Sequence, residues 1–137
     1  MHILVASFFM YDIIIISIQL GFNKMKLYLD DWRYPEMTYQ NPKDWILIRD
    51  PFEFFDKFKE NFENIDEVSF DHDLEWWDEN DEEITGYYVV KNLIGEWVID
   101  NNVNISKITA KFHTANPDGK INMETYWNNL VKNYPYT

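Results

Sequence analysis

Two separated groups of acidic and imidazole side chains could together carry out phosphate chemistry. The first is Asp30-Asp31 and the second is Asp71-His72-Asp73. Carboxylate oxygens are the ligands that hard divalent cations prefer, and an imidazole titrates near neutral pH, so it can serve as a general acid or base. Turn formation does not require two carboxylates that flank an imidazole. The second group therefore indicates metal ligation or proton transfer.

Three further features belong to the same candidate site or lie next to it. His113 follows an apolar run and is a candidate for proton transfer, with structural hydrogen bonding as the alternative. Arg33 offers a planar guanidinium that either pairs with nearby carboxylates or clamps a phosphate. Asp31 by itself could also cap a helix or lie in a solvated loop. The acidic run from Glu75 to Glu83 predicts a solvated loop or a lid.

Four short apolar runs predict the strands that position these side chains. The runs are residues 26–29, 45–48, 67–70 and 105–112. Strands that alternate with helices imply a parallel sheet with right-handed crossovers, in which ligands bind beyond the carboxyl ends of the strands. The candidate groups follow the first, third and fourth runs directly, so we expect them to converge at one edge of the sheet.

Helix signals separate these strands. Asp50-Pro51 places a cap and a first-turn proline at the start of one helix. Four phenylalanines then recur at helical spacing and predict a buried stripe: Phe52, Phe55, Phe58 and Phe62. Thr85 predicts the cap of a second helix. Residues 116–119 predict a turn, and residues 123–131 predict the last helix.

Composition restricts the partners and the location of the protein. The chain has 137 residues, with 24 Asp and Glu against 12 Lys and Arg, which gives a formal charge of -12. Such a field repels nucleic-acid phosphates and membrane surfaces, so we expect neither double-stranded DNA nor a membrane as a partner. A phosphate ligand would need a bound cation. The absence of cysteine excludes a disulfide framework, a thiolate zinc site and a cysteine nucleophile, and it is compatible with a reducing cytoplasm.

The segment upstream of Met25 has a composition of its own. Residues 3–20 are strongly apolar, yet they include Asp12, and a charge within a membrane span is costly. Three interpretations remain open: an upstream extension of a chain whose translation starts at Met25, an additional buried strand at residues 13–18, and a membrane anchor. We therefore divide the chain into an apolar extension, residues 1–24, and an α/β domain, residues 25–137.

Four separated motifs resemble one known family, the cyclic-phosphate processing receiver-like domains. They are Leu29-Asp30-Asp31-Trp32-Arg33-Tyr34-Pro35, Ser69-Phe70-Asp71-His72-Asp73-Leu74, Thr85-Gly86 and His113-Thr114-Ala115-Asn116-Pro117-Asp118-Gly119. The resemblance covers essentially everything from Met25 onward. It implies a modified response-regulator receiver fold: an α/β, three-layer, flavodoxin-like or receiver-like domain with a mainly parallel sheet of four or five strands and helices on both faces.

The resemblance also implies a ligand and a substrate class. Asp30, Asp31 and Asp71 would occupy the acidic pocket of a receiver, and their oxygens favour a divalent cation, Mg²⁺ or Mn²⁺. Ligation by the histidines together with carboxylates would instead favour manganese, iron or zinc. The family is linked to cyclic phosphate ends and related phosphoesters in RNA repair and nucleotide metabolism. We therefore expect a small nucleotide or an RNA-end phosphoester as the substrate.

Two classes of function follow from this set of residues. In a metal-assisted phosphoesterase, the catalytic residues would be His72, His113 and Asp73, and the substrate-binding residues would be Arg33, Asn116 and Thr114. The alternative is a receiver-like binding or signalling module that accepts phosphate on Asp71 or binds a small nucleotide without turnover, or a protein-interaction module. An ordinary receiver needs a lysine on a fifth strand, whereas here only one helix is predicted after the fourth strand. The added histidines favour the enzyme, which we place in the cytoplasm of a bacterial or phage-infected cell.

Overall fold

The sheet that positions these residues is fully parallel. A computed structural model describes residues 24–137, and its four strands lie in the order β2-β1-β3-β4. Their bounds are β1 Met25–Leu29, β2 Trp45–Ile48, β3 Ile65–Phe70 and β4 Thr109–Phe112. The chain reverses its direction across the sheet between β1 and β3. This switch point is where parallel α/β sheets bind ligands.

Three helices follow the second, third and fourth strands. Helix α1 is Pro51–Glu60 and helix α3 is Pro117–Asn133. Helix α2 runs over residues 86–101 without a break and consists of Gly86–Tyr88, a π-helical stretch Val89–Gly95, and Glu96–Asn101. Short 3-10 turns occupy Pro35–Met37, Pro42–Asp44 and Phe62–Asn64. The predicted receiver-like α/β fold class is confirmed.

The two faces of the sheet are covered differently. Side chains alternate between the faces of a strand, and Leu27, Leu29 and Phe70 share the buried core with residues of all three helices. On the opposite face, the ring of Tyr39 stacks on that of Trp45 with centroids 4.6 Å apart. The segment from β1 to β2, with its two 3-10 turns, therefore forms the outer layer on that side in place of a long helix.

Two predicted boundaries are wrong. The fourth strand was expected from residue 105 but begins at Thr109, because Asn104 Oδ1 accepts a hydrogen bond from the amide of Ser106 and turns the chain there. Residues 116–119 were expected to form a turn, but Pro117 begins α3. Asn116 Oδ1 caps that helix by accepting the amide of Gly119 at 2.9 Å, and proline is favoured in a first helical turn.

The predicted aromatic stripe of α1 needs a correction. Phe58 is fully buried, but its partner in the core is Phe54, one helical turn earlier. Phe55 and Phe62 are partly buried against the core, whereas Phe52 is 38% exposed. The buried face of α1 is formed by Pro51, Phe54 and Phe58, and at about 3.6 residues per turn Phe52 lies off that face.

The interpretations of the apolar extension fall on residues 1–23, outside the residues that the structure describes. An additional strand, a membrane anchor and a translation start at Met25 therefore stay predictions. Within residues 24–137, none of the helices has the length and apolar character that a membrane span requires.

Gly86, at the start of α2, permits a close approach on which the position of the site depends. A Cβ atom at this position would lie 1.9 Å from the backbone carbonyl oxygen of Asp71. We expect Gly86→Ala to lower the free energy of unfolding by about 3 kcal/mol or more, because backbone atoms on both sides must shift. Urea denaturation against the solvent-exposed Lys91→Ala on the same helix measures this. Equal stability of the two variants would contradict the close packing.

Candidate functional site

Three carboxylates meet where β1 and β3 end. Asp30, Asp31 and Asp71 each place one oxygen so that all three oxygens lie within 4.8 Å of one another. Asp30 and Asp71 are buried, and Asp31 is partly buried. The predicted convergence of these three residues is therefore present in the structure. We call this group the carboxylate pocket.

Asp30 is held by hydrogen bonds at both oxygens. Its Oδ1 accepts from the backbone amides of Trp32 at 2.9 Å and Arg33 at 2.8 Å. Its Oδ2 accepts from His113 Nε2 at 2.9 Å and from Arg33 Nη1 at 3.2 Å. Burial alone would raise the pKa of Asp30, but the hydrogen bonds from His113 and the two amides outweigh it and hold that pKa well below its usual range. Asp30 is therefore a fixed anion.

Asp31 is in the opposite situation. Its Oδ1 is buried and has no hydrogen-bond partner among the described residues. Burial raises the pKa of Asp31 to about 6, and the carboxylates of Asp30, Asp71 and Glu75 add to the effect. A buried oxygen without a partner is costly, and a bound cation or a proton would relieve that cost.

Arg33 neutralises part of this charge. Its Nη1 lies 3.2 Å from Asp30 Oδ2 and 3.5 Å from Asp71 Oδ2, so one guanidinium bridges two of the three carboxylates. Arg49 fixes the backbone of Arg33, because its Nη1 donates to the Arg33 carbonyl oxygen at 2.8 Å. The structure thus places Arg33 in ion pairs with carboxylates, one of the two arrangements expected from the sequence.

His113 lies in a buried chain of hydrogen bonds. Besides its bond to Asp30, its Nδ1 lies 2.7 Å from Ser69 Oγ, and Ser69 Oγ lies 2.5 Å from the hydroxyl of Tyr39. The imidazole also stacks on Tyr28, with ring centroids 4.3 Å apart. Both nitrogens of His113 are occupied, and its side chain is only 3% exposed.

The donors and acceptors in this chain of hydrogen bonds can be assigned in part. Asp30 is ionised and accepts only, so His113 Nε2 must donate to it. Burial raises the pKa of Tyr39, so its hydroxyl keeps its proton. The order of Asp30, His113 and Ser69 resembles a hydrolase triad, but Ser69 is completely buried and cannot meet a substrate. The chain therefore holds Asp30 and the imidazole in place.

His72 belongs to a second, more accessible cluster at the same edge of the sheet. Its Nδ1 lies 2.8 Å from Asp73 Oδ1, and the amide nitrogen of Asn116 lies 3.3 Å from Asp73 Oδ2. The backbone amide of His72 donates to Asp71 Oδ1 at 2.8 Å, which links this cluster to the carboxylate pocket. A carboxylate that holds one imidazole nitrogen leaves the other free for proton transfer.

Gly119 packs closely against the side chain of His72. A Cβ atom at position 119 would lie 2.4 Å from Cγ of His72. The start of α3 can therefore approach the His72 side chain only because residue 119 is glycine. The side chain of Thr114 accepts the backbone amide of Asn116 at 3.1 Å, and its predicted binding of substrate stays a prediction.

Sequence reasoning missed the residues that support the site. Tyr39, Ser69 and Gly119 were given no role, although Ser69 contacts His113, Gly119 contacts His72, and Tyr39 reaches His113 through Ser69. Ser69 had a detectable signal, because it is a polar residue inside an apolar strand, two positions before Asp71, and so points to the same side. Tyr39 had none, since it lies in an irregular loop far from Ser69 in sequence.

The carboxylate pocket suits a hard divalent cation. It offers oxygen donors only, and Asp31 contributes a buried oxygen that has no partner in residues 24–137. Asp30 is the weakest of the three candidate ligands, because its two oxygens already accept four hydrogen bonds. Asp31 and Asp71 are therefore the residues best placed to hold a cation.

Ser69→Ala tests the buried chain. The change leaves His113 Nδ1 and the Tyr39 hydroxyl without their shared partner, and a buried polar group without a partner costs about 1–3 kcal/mol. We expect a loss of that size in the free energy of unfolding, measured by urea denaturation. The exposed Ser106→Ala is the control and should change stability by less than about 0.5 kcal/mol. Equal effects of the two changes would contradict a stabilising role for this chain of hydrogen bonds.

The comparison with known families confirms the resemblance noted in the sequence. The family described as the cyclic-phosphate processing receiver domain matches residues 25–129, which includes every strand, the carboxylate pocket and the His72 cluster. Neither the search of curated proteins nor that of solved structures found a match. The matched region is most of the chain, and the chain therefore belongs to the family of cyclic-phosphate processing receiver domains.

Proposed function

We propose that this protein is a metal-assisted phosphoesterase that hydrolyses a cyclic phosphate or a related phosphoester of a nucleotide or an RNA end. The main support is one observation: the carboxylate pocket and the His72-Asp73 pair lie at the same edge of the sheet and are joined through Asp71. Anion-neutralising and proton-transferring groups are the two requirements of phosphoester hydrolysis.

Asp31 and Asp71 would hold the cation, with Mg²⁺ or Mn²⁺ favoured by the oxygen ligands. When bound, the cation supplies positive charge that offsets the phosphate and the surrounding acidic surface. The buried oxygen of Asp31, which has no partner in the described residues, would gain one. Asp30 keeps its charge throughout and orients the Arg33 guanidinium from one side.

Arg33 would bind the substrate phosphate. Its guanidinium has five N–H donors, and Nη1 is the atom that faces the carboxylates in the structure. Its side chain is 22% exposed, so the remaining donors can reach a phosphate without a rearrangement of the backbone. The bridging position between Asp30 and Asp71 keeps the guanidinium oriented before substrate arrives.

His72 would transfer the proton. Hydrolysis of a cyclic phosphate adds a water oxygen to phosphorus and breaks one P–O bond of the ring, so a proton must leave the water and another must reach the departing oxygen. His72 is held by Asp73, and the Asn116 amide orients Asp73 in turn. Proton transfer by His113 stays a prediction, and it requires Asp30 or Ser69 to release a ring nitrogen.

A substrate panel tests the proposal. We expect hydrolysis of at least one 2′,3′-cyclic nucleotide or RNA with a terminal cyclic phosphate, dependent on Mg²⁺ or Mn²⁺ and stopped by chelator. Asp71→Asn should lower both turnover and cation affinity, and Asp100→Asn, an exposed carboxylate on α2, should change neither. Failure of every member of the panel with both metals would remove the phosphoesterase proposal.

Phosphate acceptance by Asp71 is a second candidate function. It is supported by the position of Asp71 at the end of β3, next to the paired acids that follow β1. Incubation with acetyl phosphate and Mg²⁺, followed by intact-mass measurement, distinguishes the two functions. A stable gain of one phosphoryl group that is lost in Asp71→Asn would support the signalling module, and an unmodified chain would count against it.

A further inference from the structure

Exposed aromatic side chains are concentrated near the candidate site. Among residues 24–137, the aromatic side chains that stand out as exposed are Trp32, Tyr34, Phe52, Trp77 and Tyr136. The first four all follow the carboxyl end of a strand, and Tyr136 lies after α3 at the opposite edge. Exposed apolar groups that gather at a ligand-binding edge indicate a binding surface.

Two of these rings and a neighbour line an open cleft. Phe52, Trp76 and Trp77 supply its aromatic walls, and its volume is about 470 Å³, which is within the range of small-molecule sites. Phe52 is 38% and Trp77 is 55% exposed, so a planar ligand can reach both rings. The rest of the lining is polar and comes from Asp78, Glu79 and Asn80.

The loop that carries the tryptophans is held in place before any ligand binds. Asp78 Oδ1 accepts the backbone amides of Asn80 at 2.8 Å and Glu82 at 3.0 Å. The amide of Ile84 donates to the carbonyl oxygen of Trp76 at 2.8 Å, which closes the base of the loop. The aromatic wall is therefore preorganised, which lowers the entropic cost of binding.

The cleft lies at the same edge of the sheet as the carboxylate pocket. Its Phe52 wall belongs to the first turn of α1, directly after β2, and its tryptophan wall follows Asp71 in the loop after β3. Both walls therefore lie at the edge of the sheet where Arg33 and the carboxylate pocket lie.

We propose that the cleft between Phe52 and Trp77 binds the nucleobase of the substrate. Every base has a π-face that stacks on aromatic side chains. Asp78 and Glu79 repel a phosphate, but carboxylates accept hydrogen bonds from the N–H groups of an uncharged base. The cleft therefore suits the base alone. The inference rests on the proposed function only in the placement of the phosphate, which the carboxylate pocket and Arg33 would bind.

Calorimetric titration in Mg²⁺ tests the inference with two probes, guanosine 5′-monophosphate and ribose 5-phosphate, which lacks a base. We expect tighter binding of guanosine 5′-monophosphate by the wild type. Its affinity should fall at least about fivefold in Trp77→Ala and in Phe52→Ala, as expected when one base stack is lost. Trp77→Phe keeps a ring and should retain most of the affinity, and Tyr136→Ala, an exposed ring elsewhere, should retain all of it.

The inference is overturned if the wild type binds ribose 5-phosphate as tightly as guanosine 5′-monophosphate, if it binds neither, or if Trp77→Ala binds the nucleotide unchanged. Binding does not need turnover, so the two proposals fail separately. Base-dependent binding by a chain that hydrolyses nothing supports the base site and counts against the phosphoesterase. Hydrolysis by a protein that binds ribose 5-phosphate as tightly as guanosine 5′-monophosphate supports the phosphoesterase and counts against the base site.

Discussion

Replacing His72 with Ala is expected to lower turnover about 10²- to 10⁴-fold, the usual contribution of a positioned general acid or base. The imidazole is fixed by Asp73 at 2.8 Å and is accessible, whereas both nitrogens of the buried His113 are occupied. Cation affinity should not change, because His72 contacts the pocket only through its backbone amide. Added imidazole should restore part of the activity.

Gly119→Ala should reproduce this loss without removing the imidazole. The new methyl group would lie 2.4 Å from Cγ and 2.9 Å from Cβ of His72, so the His72 side chain and the start of α3 must move apart. We therefore expect a less stable variant with low turnover that imidazole does not rescue. Ile121→Ala, an exposed change on the same helix, is the control.

Turnover of His72→Ala within threefold of the wild type would exclude His72 from catalysis.

Replacing Asp31 with Asn is expected to stabilise the metal-free protein at pH 7.5 and to abolish most of its cation binding. The rise of the Asp31 pKa from 3.8 to about 6 means that ionised Asp31 opposes folding. That rise corresponds to an upper bound of about 3 kcal/mol, which solvent at the partly exposed side chain reduces. We expect a gain of about 1–2 kcal/mol, measured by urea denaturation in chelator.

The pH dependence has a definite sign. A carboxyl whose pKa is higher in the folded protein stabilises it fully below the unfolded value, and this contribution is lost as pH rises through the folded value. The wild type without metal should therefore lose stability between about pH 4 and pH 6, and Asp31→Asn should not. Asp30 acts in the opposite direction, with stability lost on acidification below about pH 4. Parallel curves for the two proteins would contradict the burial of charge at Asp31.

The convergence of the candidate residues could be predicted because it depends on topology. Asp30, Asp71 and His113 each follow a strand, and the ends of parallel strands meet at one edge whatever the details of packing. The Asp50 cap and Pro51 are local signals and gave the start of α1 correctly. The four motifs identified the family because they span most of the fold.

The different environments of the carboxylates within the site could not be predicted. Asp30 and Asp31 are adjacent and identical in type, but one accepts four hydrogen bonds while the other keeps an oxygen without a partner in the described chain. That difference depends on Arg33 and His113, which reach Asp30 through the fold. The exposure of Phe52 was also missed, because the buried face of α1 is centred on Pro51, Phe54 and Phe58 and not on the predicted stripe.

Metal-assisted hydrolysis is tested most directly by ³¹P NMR of a 2′,3′-cyclic nucleotide incubated with the wild-type protein and Mg²⁺, with and without chelator. We expect that the cyclic phosphate signal is replaced by that of a monoester, that chelator stops the conversion, and that Asp71→Asn slows it strongly. An unchanged cyclic signal, or conversion that proceeds equally in chelator and in Asp71→Asn, would contradict metal-assisted hydrolysis at the carboxylate pocket.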